Sequence, residues 1–494
     1  MEPPRHLLDN ADSAQRLDKV SGYRQRGGDP YPVGLHRTHL SSDIRTSHGH
    51  LEPGTETDVL VTIAGRVMLK RTFGKLAFVT IQDGGGRIQL LADAATPEVL
   101  NEVSEFDLGD WVLGTGRVMT TRKGELSVRL SASTLLAKAL RPLPEKWLGL
   151  EDVETRSRQR YVDLIVNEEA RRVAEARSRV VAELRRQFVD RGYMEVETPV
   201  LQTEAGGALA RPFSTHHHAL DMPIFLRIAI ELHLKRLIVG GFEKVFEIGR
   251  IFRNEGIDSM HNPEFTMLES YEAMADYHDI AVLVEEVSAA CAVAATGSTV
   301  ITYRGRQIDL TPPYRRVRMV DVVAEAVGEP VSFDGPVDVL AALARRHGVN
   351  VEPGWGHGRI IDRIFEMLVA DGIWEPTFVF DHPKETSPLA RVHRDDPNLT
   401  ERFELIIAGS EFANAFSELN DPLDQRQRFE QQAAARAGGD QEAHPVDEDF
   451  LRALEHGMPP TGGLGIGVER LVMLLTDSHH IREVILFPTL RPER

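Results

Sequence analysis

Hydrophobic and polar positions divide the chain into stretches of different period. Residues 1–58 are polar, and RGGDPYPVG interrupts any regular pattern; a helix is expected over roughly 11–26, followed by an irregular stretch, so this part reads as an N-terminal arm. From 59 to 140 the period becomes two. In DVLVTIAG, Val59, Val61 and Ile63 would share one strand face. KLAFVTIQD, GRIQLLAD, DWVLGTGRVM and GELSVRLSAS supply four further strands, Gly84, Gly85 and Gly86 mark a turn, and PEVLNEVSEF reads as a helix between the third and fourth strands. Five short strands with a helix in that place predict an OB-fold β-barrel, a fold that often binds single-stranded nucleic acid; on pattern alone another small barrel stays open. Residues 141–165 read as a linker. The period then becomes 3.6 over Asn167 to Arg191, where Val173, Val180, Leu184 and Phe188 fall near one helix face. Strands and helices alternate from there to the end, so 166–494 is expected to be a large α+β domain. There is no internal repeat, and the one biased patch, QQAAARAGGDQEA near 431–443, reads as an exposed helix end and turn.

Composition narrows the class. A chain of 494 residues suggests roughly two to four domains, and 42% hydrophobic with 27% charged residues is ordinary for a globular protein. No run of about 18 apolar residues suggests a membrane span, and the N-terminus lacks the charged start and apolar core of a signal peptide. Cys291 is the only cysteine, which excludes internal disulfides and multi-cysteine zinc sites and fits a reducing cytoplasm. The net charge of −18 argues against a simple nucleic-acid-coating protein; it leaves room for a nucleic-acid binder with local basic surface.

The chemistry concentrates in Val245 to Tyr271, VFEIGRIFRNEGIDSMHNPEFTMLESY. Phe246, Ile248, Arg250 and Phe252 have strand spacing, NEGIDSMHNP must turn, and PEFTMLESY starts a second strand. Arg253 and Glu255 therefore stand at the entrance of a long hairpin loop. A forked guanidinium suits a phosphate or carboxylate there, whereas a surface Arg–Glu pair is the plainer reading.

The surrounding motifs decide between these. FRNE (Phe252 to Glu255) followed by HNPEF (His261 to Phe265) resembles motif 2 of the class II aminoacyl-tRNA synthetases. GLGIGVERL (Gly463 to Leu471) resembles motif 3, and GYMEVETP (Gly192 to Pro199) resembles motif 1, which makes the dimer interface in that family. ARPFSTHHHALDMPIFLRIAIELHLKRLIVGGFEKVFEIGR, SPLAR, FSELNDP and GLGIGVERLVMLLTDSHHIREVILFP narrow the resemblance to the lysyl-tRNA synthetases of class II. It runs from RLDKVSGYRQRGGDPYPV to the C-terminus and includes the anticodon-binding barrel through GRVMLKRTFGKLAFVTIQD. The resemblance implies an antiparallel catalytic sheet flanked by helices, a homodimer, and L-lysine, ATP and tRNA(Lys) as substrates.

It also implies roles. Arg253 would bind the ATP α-phosphate and the lysine carboxylate. Glu255, His261 and Asn262 would hold the adenine edge, with Phe265 stacked below the ring and Arg470 above it. Glu404 and Glu411 would hold Mg²⁺; seven residues apart, they share a strand face only if a bend intervenes, for which Gly409 is the candidate. Glu418 would pair with the ε-ammonium of lysine, assisted by Tyr271, with Phe416 and Asn414 along the stem. Glu231 and the backbone near Gly207 would take the α-amino group, and Glu269, two before Tyr271, would support the pocket. Arg71, Phe78 and Glu125 would contact the anticodon; periodicity alone leaves Phe78 open as a barrel-core residue. No general acid or base is required, because the lysine carboxylate is already a nucleophile and catalysis by Arg253 and Arg470 is positioning and charge neutralisation.

Some positions depart from the family pattern. Ile230 stands where a proline usually precedes the glutamate, and Ala413 and Ala415 flank Asn414 where Gly is often found at the second position. His216, His217 and His218 invite a metal reading, but a family histidine pair explains them better; Cys291 reads as a buried small hydrophobe. Rival functions are a paralogue that passes lysine to a non-tRNA acceptor, an inactive regulatory relative, and an aspartate or asparagine enzyme. The retained barrel speaks against the first, the full residue set against the second, and the anionic Glu418 pocket against the third.

Overall fold

The computed structural model describes residues 5–144, 150, 152–204, 206–208, 210–437 and 446–492. Contacts divide the chain into two compact units, 1–150 and 151–494.

In the first unit the N-terminal arm forms helices α1 (Ala11–Gln25) and α2 (Ser41–His48). Strands β1 (Glu56–Phe73), β2 (Leu76–Asp83), β3 (Gly86–Asp93), β4 (Trp111–Thr120) and β5 (Leu126–Ala137) close a barrel in the order β1-β2-β3-β5-β4. Alternation puts Val61, Ile63, Val79 and Ile81 inside. Val59 is 40% exposed instead, because the β1–β4 ladder slips between Glu56 and Leu60 and the first residues of β1 leave the inner face. Helix α3 (Pro97–Glu105) sends Val99 and Val103 into the barrel core. The arm is tied to the barrel. Ile44, 1% exposed, joins the same core, the Ser41 N–H donates to Asp83 Oδ2 at 2.8 Å, and Arg16 Nη1 donates to the Leu108 and Ala139 carbonyls at 3.0 and 2.9 Å. One isoleucine in a polar stretch carries no period, so this packing left no trace in the hydrophobic pattern.

Part of the expected linker, 145–149 and 151, lies outside the described residues. Its continuation is helical, Val153–Arg158 and Arg160–Val166, and the Arg160 guanidinium donates to the Leu486 and Arg482 carbonyls. Helix α4 (Glu168–Asp190) follows, with Val173, Val180, Leu184 and Phe188 all buried as its period requires. The second unit is built on an eight-stranded sheet: β6 (Met194–Glu195), β7 (Lys244–Phe252), β8 (Glu264–Ala273), β9 (Arg315–Arg318), β10 (Thr377–Phe380), β11 (Arg402–Ile407), β12 (Ser410–Ser417) and β13 (Thr461–Gly467), in the order β9-β10-β11-β12-β13-β8-β7-β6. The six central strands are antiparallel, as expected. The edge strands β6 and β9 pair parallel to β7 and β10, because each enters through a helix-containing crossover that returns the chain in the same direction.

Helices α5 (Glu231–Val239), α6 (Tyr277–Thr296), α7 (Glu448–Glu455) and α8 (Val468–Thr476) pack around the sheet. The core between α4, α6, α8 and the sheet takes Leu268 from β8, Ala415 from β12 and Leu464 and Ile466 from β13. The alternate positions, Glu269 and Tyr271, Asn414 and Phe416, and Gly463 and Gly465, line a cavity on the other face. A helical insertion between β9 and β10 has its own core around Val323, Ile360 and Phe365. The biased patch begins in the helix Pro422–Ala437; its residues 438–443 lie outside the described residues.

Candidate active site

The cavity on the open sheet face has a volume of about 420 Å³. The β7–β8 hairpin positions its first wall. Phe252 pairs with Glu264, and the Arg253 N–H donates to the Pro263 carbonyl at 2.9 Å, so Arg253 sits where the ladder opens into the loop. Its guanidinium lies 5.3 Å from the centre of the Phe265 ring. Burial pulls Arg253 down from its ordinary value more than Glu255, Glu411 and Glu269 push it up, so the group is under-compensated and suited to an anion.

At the loop's tip His261 Nδ1 lies 2.9 Å from Asp258 Oδ2, and its Nε2 lies 3.1 Å from Arg470 Nη2. If Asp258 takes the Nδ1 proton, Nε2 accepts from Arg470. Asn262 is buried and donates to the Glu264 carbonyl at 2.6 Å, while its Oδ1 has no hydrogen-bond partner. Arg470, on α8, also donates to the Glu411 carbonyl at 2.9 Å and to Glu411 Oε2 at 3.3 Å. Arg253, His261, Asn262, Phe265, Glu411 and Arg470 all line this cavity.

Glu404 and Glu411 come together through a hairpin. Ala408 and Gly409 both take positive φ, 48° and 75°, the conformation of a tight two-residue turn, and the ladder slips between Leu405 and Ile406. Gly409 thus makes a reversal, which sets the two carboxylates on neighbouring strands β11 and β12. Burial, then Glu411, push the Glu404 carboxyl up to about 8 against the pull of Arg402. Two carboxylates that penalise each other's charge fit a hard divalent cation whose other ligands are water and phosphate oxygens. Among the described residues no group of three or more His, Cys, Asp or Glu is placed to hold a metal ion. Cys291 is buried, and burial pushes its thiol up, as an inert core residue.

The inner end of the cavity is acidic. Glu231, Glu269 and Glu418 are all buried. Glu418 Oε1 has no hydrogen-bond partner, and a Cβ at Gly463 would overlap it, so glycine is required beside this carboxylate. The Tyr271 hydroxyl donates to Glu269 Oε2 at 3.3 Å, and the Ile230 N–H donates to Glu269 Oε1 at 3.1 Å. The proline expected before Glu231 has no N–H and could not make that bond. Gly207 has φ +89°, and a Cβ there would lie 3.0 Å from Ala229 Cβ and 3.4 Å from Glu231 Cβ. Ala415 points into the helix-covered core and leaves the cavity unchanged.

Two residues escaped the sequence reading. Lys235 is fully buried and pairs with Glu231 and Glu418. Arg402 donates to Asn414 Oδ1 at 3.1 Å and to Glu404 Oε1 at 2.6 Å, joining the amino-acid end to the carboxylate pair. The signals existed: Lys235 is four residues after Glu231 on a helix, and Arg402 two before Glu404 on a strand.

In the barrel, Arg71 and Phe78 are cross-strand partners. Phe78 faces outward between the buried Ala77 and Val79, with Phe73 at 6.4 Å, so the core alternative for Phe78 falls. Glu125 is exposed in the β4–β5 turn; among the described residues no hydrogen bond or ion pair joins it to the other two.

These features have close relatives. Residues 152–491 match the family described as tRNA synthetases class II (D, K and N), and residues 61–136 match an OB-fold nucleic acid binding domain. The lysine–tRNA ligase of Thermosynechococcus vestitus is 52% identical over 97% of this chain and 96% of its own length. That of Enterococcus faecalis is 50% identical over 99% of both chains. No helix among the described residues is long and apolar enough to cross a membrane. With its barrel, its cavity and this near full-length likeness, the chain belongs to the class II aminoacyl-tRNA synthetases, in the lysine–tRNA ligase family.

Proposed function

We infer that this chain activates L-lysine with ATP to lysyl-adenylate and pyrophosphate and then transfers lysine to the 3′ end of tRNA(Lys). The observation that carries the reading is the buried Glu418 Oε1, unpartnered at the inner end of a cavity whose mouth holds the under-compensated Arg253. An extended lysine fits between them: ε-ammonium on Glu418, stem along Phe416, α-amino group near Glu231 and Gly207, carboxylate toward Arg253.

Arg253 then neutralises the carboxylate and the α-phosphate as one attacks the other in line, and Arg470 steadies the leaving side. Phe265, His261, Asn262 and Glu255 take the adenine. Glu404 and Glu411 would hold Mg²⁺, which when bound supplies charge neutralisation to phosphate oxygens. No side chain needs to move a proton in the first step. The barrel unit reads the anticodon through Arg71, Phe78 and Glu125, the GYMEVETP stretch forms the homodimer contact, and the enzyme works in the cytoplasm.

The test is amino-acid-dependent ATP–pyrophosphate exchange across the twenty amino acids, with tRNA charging in parallel. Exchange with lysine and charged tRNA(Lys) are expected. Exchange with lysine but no charged tRNA would redirect the reading to another acceptor, and no exchange from folded protein would end it.

A further inference from the structure

Lys235 is the charged group of the acidic end that the cavity wall hides. Its side chain is fully buried and it does not line the cavity. Its ammonium lies 2.5 Å from Glu231 Oε1 and also contacts Glu418 Oε2. It therefore bridges the two carboxylates assigned above to the α-amino and ε-ammonium groups of lysine, and the inference rests on that assignment. The rings of Phe416 and Phe450, 5.5 and 5.9 Å away, enclose it.

The charges that face this point can be counted element by element. Helix α5 gives Glu231 and Lys235, β8 gives Glu269 and Tyr271, and the turn after β12 gives Glu418. Arg402 reaches in from β11 and Arg253 from the hairpin loop. Arg236, on the outer side of α5, is compensated by Asp447 and Asp449. Three carboxyls thus meet one buried ammonium at the inner end. A lysine substrate adds two ammoniums, which balances the three carboxylates, and its own carboxylate is left for Arg253. The empty pocket lacks positive charge at two separate places, which is the charge pattern of a diamino acid. Without Lys235 it would lack three, and protons would fill the gap.

We propose that Lys235 is a positioning residue that sets specificity: its internal ammonium holds Glu231 and Glu418 together as carboxylates and leaves Glu418 Oε1 open to the substrate. Burial raises the Glu231 carboxyl and pushes the Glu418 carboxyl well up, and the Lys235 ammonium is the first group that pulls each of them back down. Burial would pull Lys235 down, but Glu231 and Glu418 carry it above the ordinary lysine range. Burial and Glu231 push the Glu269 carboxyl up to about 7 against the pull of the Ile230 N–H and Arg253. A raised carboxyl is charged only above its own value, so lysine binding strengthens as pH rises through about 7. Removing Lys235 moves that rise to higher pH, because Glu231 and Glu418, already raised by burial, then lose the ammonium that pulls them down.

The experiment measures KM for lysine in pyrophosphate exchange against pH, for the wild type, Lys235→Met and Lys235→Arg. In Lys235→Met the KM for lysine is expected to rise roughly tenfold or more at neutral pH and to recover as pH rises, with KM for ATP unchanged. Lys235→Arg restores both affinity and profile. A Met variant with the wild-type KM and profile overturns the proposal, as does an equal loss in both variants with no change of profile. Should Lys235→Met fail to fold, calorimetry of lysine binding to the wild type in buffers of different ionisation enthalpy decides. Release of about one proton or fewer per lysine supports the internal counter-ion, and release of about two or more overturns it. A wild type that shows no lysine-dependent exchange defeats the pocket assignment itself, before any variant is made.

Discussion

Gly463→Ala tests the position of the lysine-binding carboxylate with a single methyl group. Gly463 lies on β13 opposite Tyr271 and Phe416 in the ladder. A Cβ built there overlaps Glu418 Oε1 and lies 2.8 Å from Tyr271 Cε1 and 2.9 Å from Glu418 Cδ. Neither neighbour can retreat easily: Tyr271 is buried and bonded to Glu269, and Glu418 is buried against Lys235. Overpacking of this kind costs about 1–3 kcal/mol of stability. Losing the charge-assisted hydrogen bond to the ε-ammonium is about 1.5–3 kcal/mol more for binding, which raises KM for lysine by roughly ten- to hundredfold. Pyrophosphate exchange with lysine or ATP varied in turn separates the two ends of the cavity; KM for ATP should stay where it is, because Gly463 does not approach Arg253, His261 or Arg470. A folded Gly463→Ala enzyme with an unchanged KM for lysine would refute the assignment of Glu418 to the ε-ammonium.

Three further outcomes are expected. Ile230→Pro removes the N–H that donates to Glu269 Oε1; a lost bond to a charged group is about 1.5–3 kcal/mol, so KM for lysine rises by roughly tenfold or more, and an unchanged KM would show that the Tyr271 hydroxyl alone suffices to hold Glu269. Glu404→Gln raises the Mg²⁺ concentration for half-maximal exchange by on the order of tenfold or more, read by magnesium titration at saturating lysine; an unaltered titration curve would exclude Glu404 as a ligand. Phe78→Ala removes a stacking surface of about 1–3 kcal/mol per base, so tRNA charging weakens in KM for tRNA while lysine-dependent exchange is untouched. Equal loss in both assays would contradict an anticodon role.

The regular parts of the fold were legible because their side chains repeat. Val173, Val180, Leu184 and Phe188 announce α4, and Val61 with Ile63 on β1 and Ala77, Val79 and Ile81 on β2 mark the inner face of the barrel. The site residues were legible for another reason: FRNE, HNPEF and GLGIGVERL keep fixed spacings around one hairpin and one strand–helix joint, and those joints bring Arg253, His261 and Arg470 to one cavity. What the pattern could not give was partnership across the sequence. Ile44 reaches the barrel core from a polar arm, where a single apolar position has no period to reveal it. The β6 and β9 pairings are parallel because of crossovers, and hydrophobic alternation is blind to strand direction. Lys235 was not singled out, since a lysine is almost never fully buried unless paired, and its second partner is 183 residues away.

That last pairing bears on how a common scaffold selects its amino acid. The family this chain matches spans D, K and N enzymes, so the backbone frame, the hairpin loop and the α8 arginine do not by themselves set the substrate. In this chain the acidic end can be named: Glu231 at the start of α5, Glu269 on β8 and Glu418 after β12 surround one end of the cavity with buried carboxyls, which suits a cationic substrate. An isolated buried carboxylate would take up a proton and lose its selectivity. Placing one ammonium behind two of the three pulls their carboxyls back toward the charged form without filling the cavity, and the remaining deficit falls at two points, the inner end and the α-amino position. A neutral side chain of equal length meets the Glu418 end with nothing to offer, and an anionic one is repelled by it. Discrimination in this pocket is then a property of the charge left unbalanced, and the apolar stem contacts of Phe416 add length selection to it.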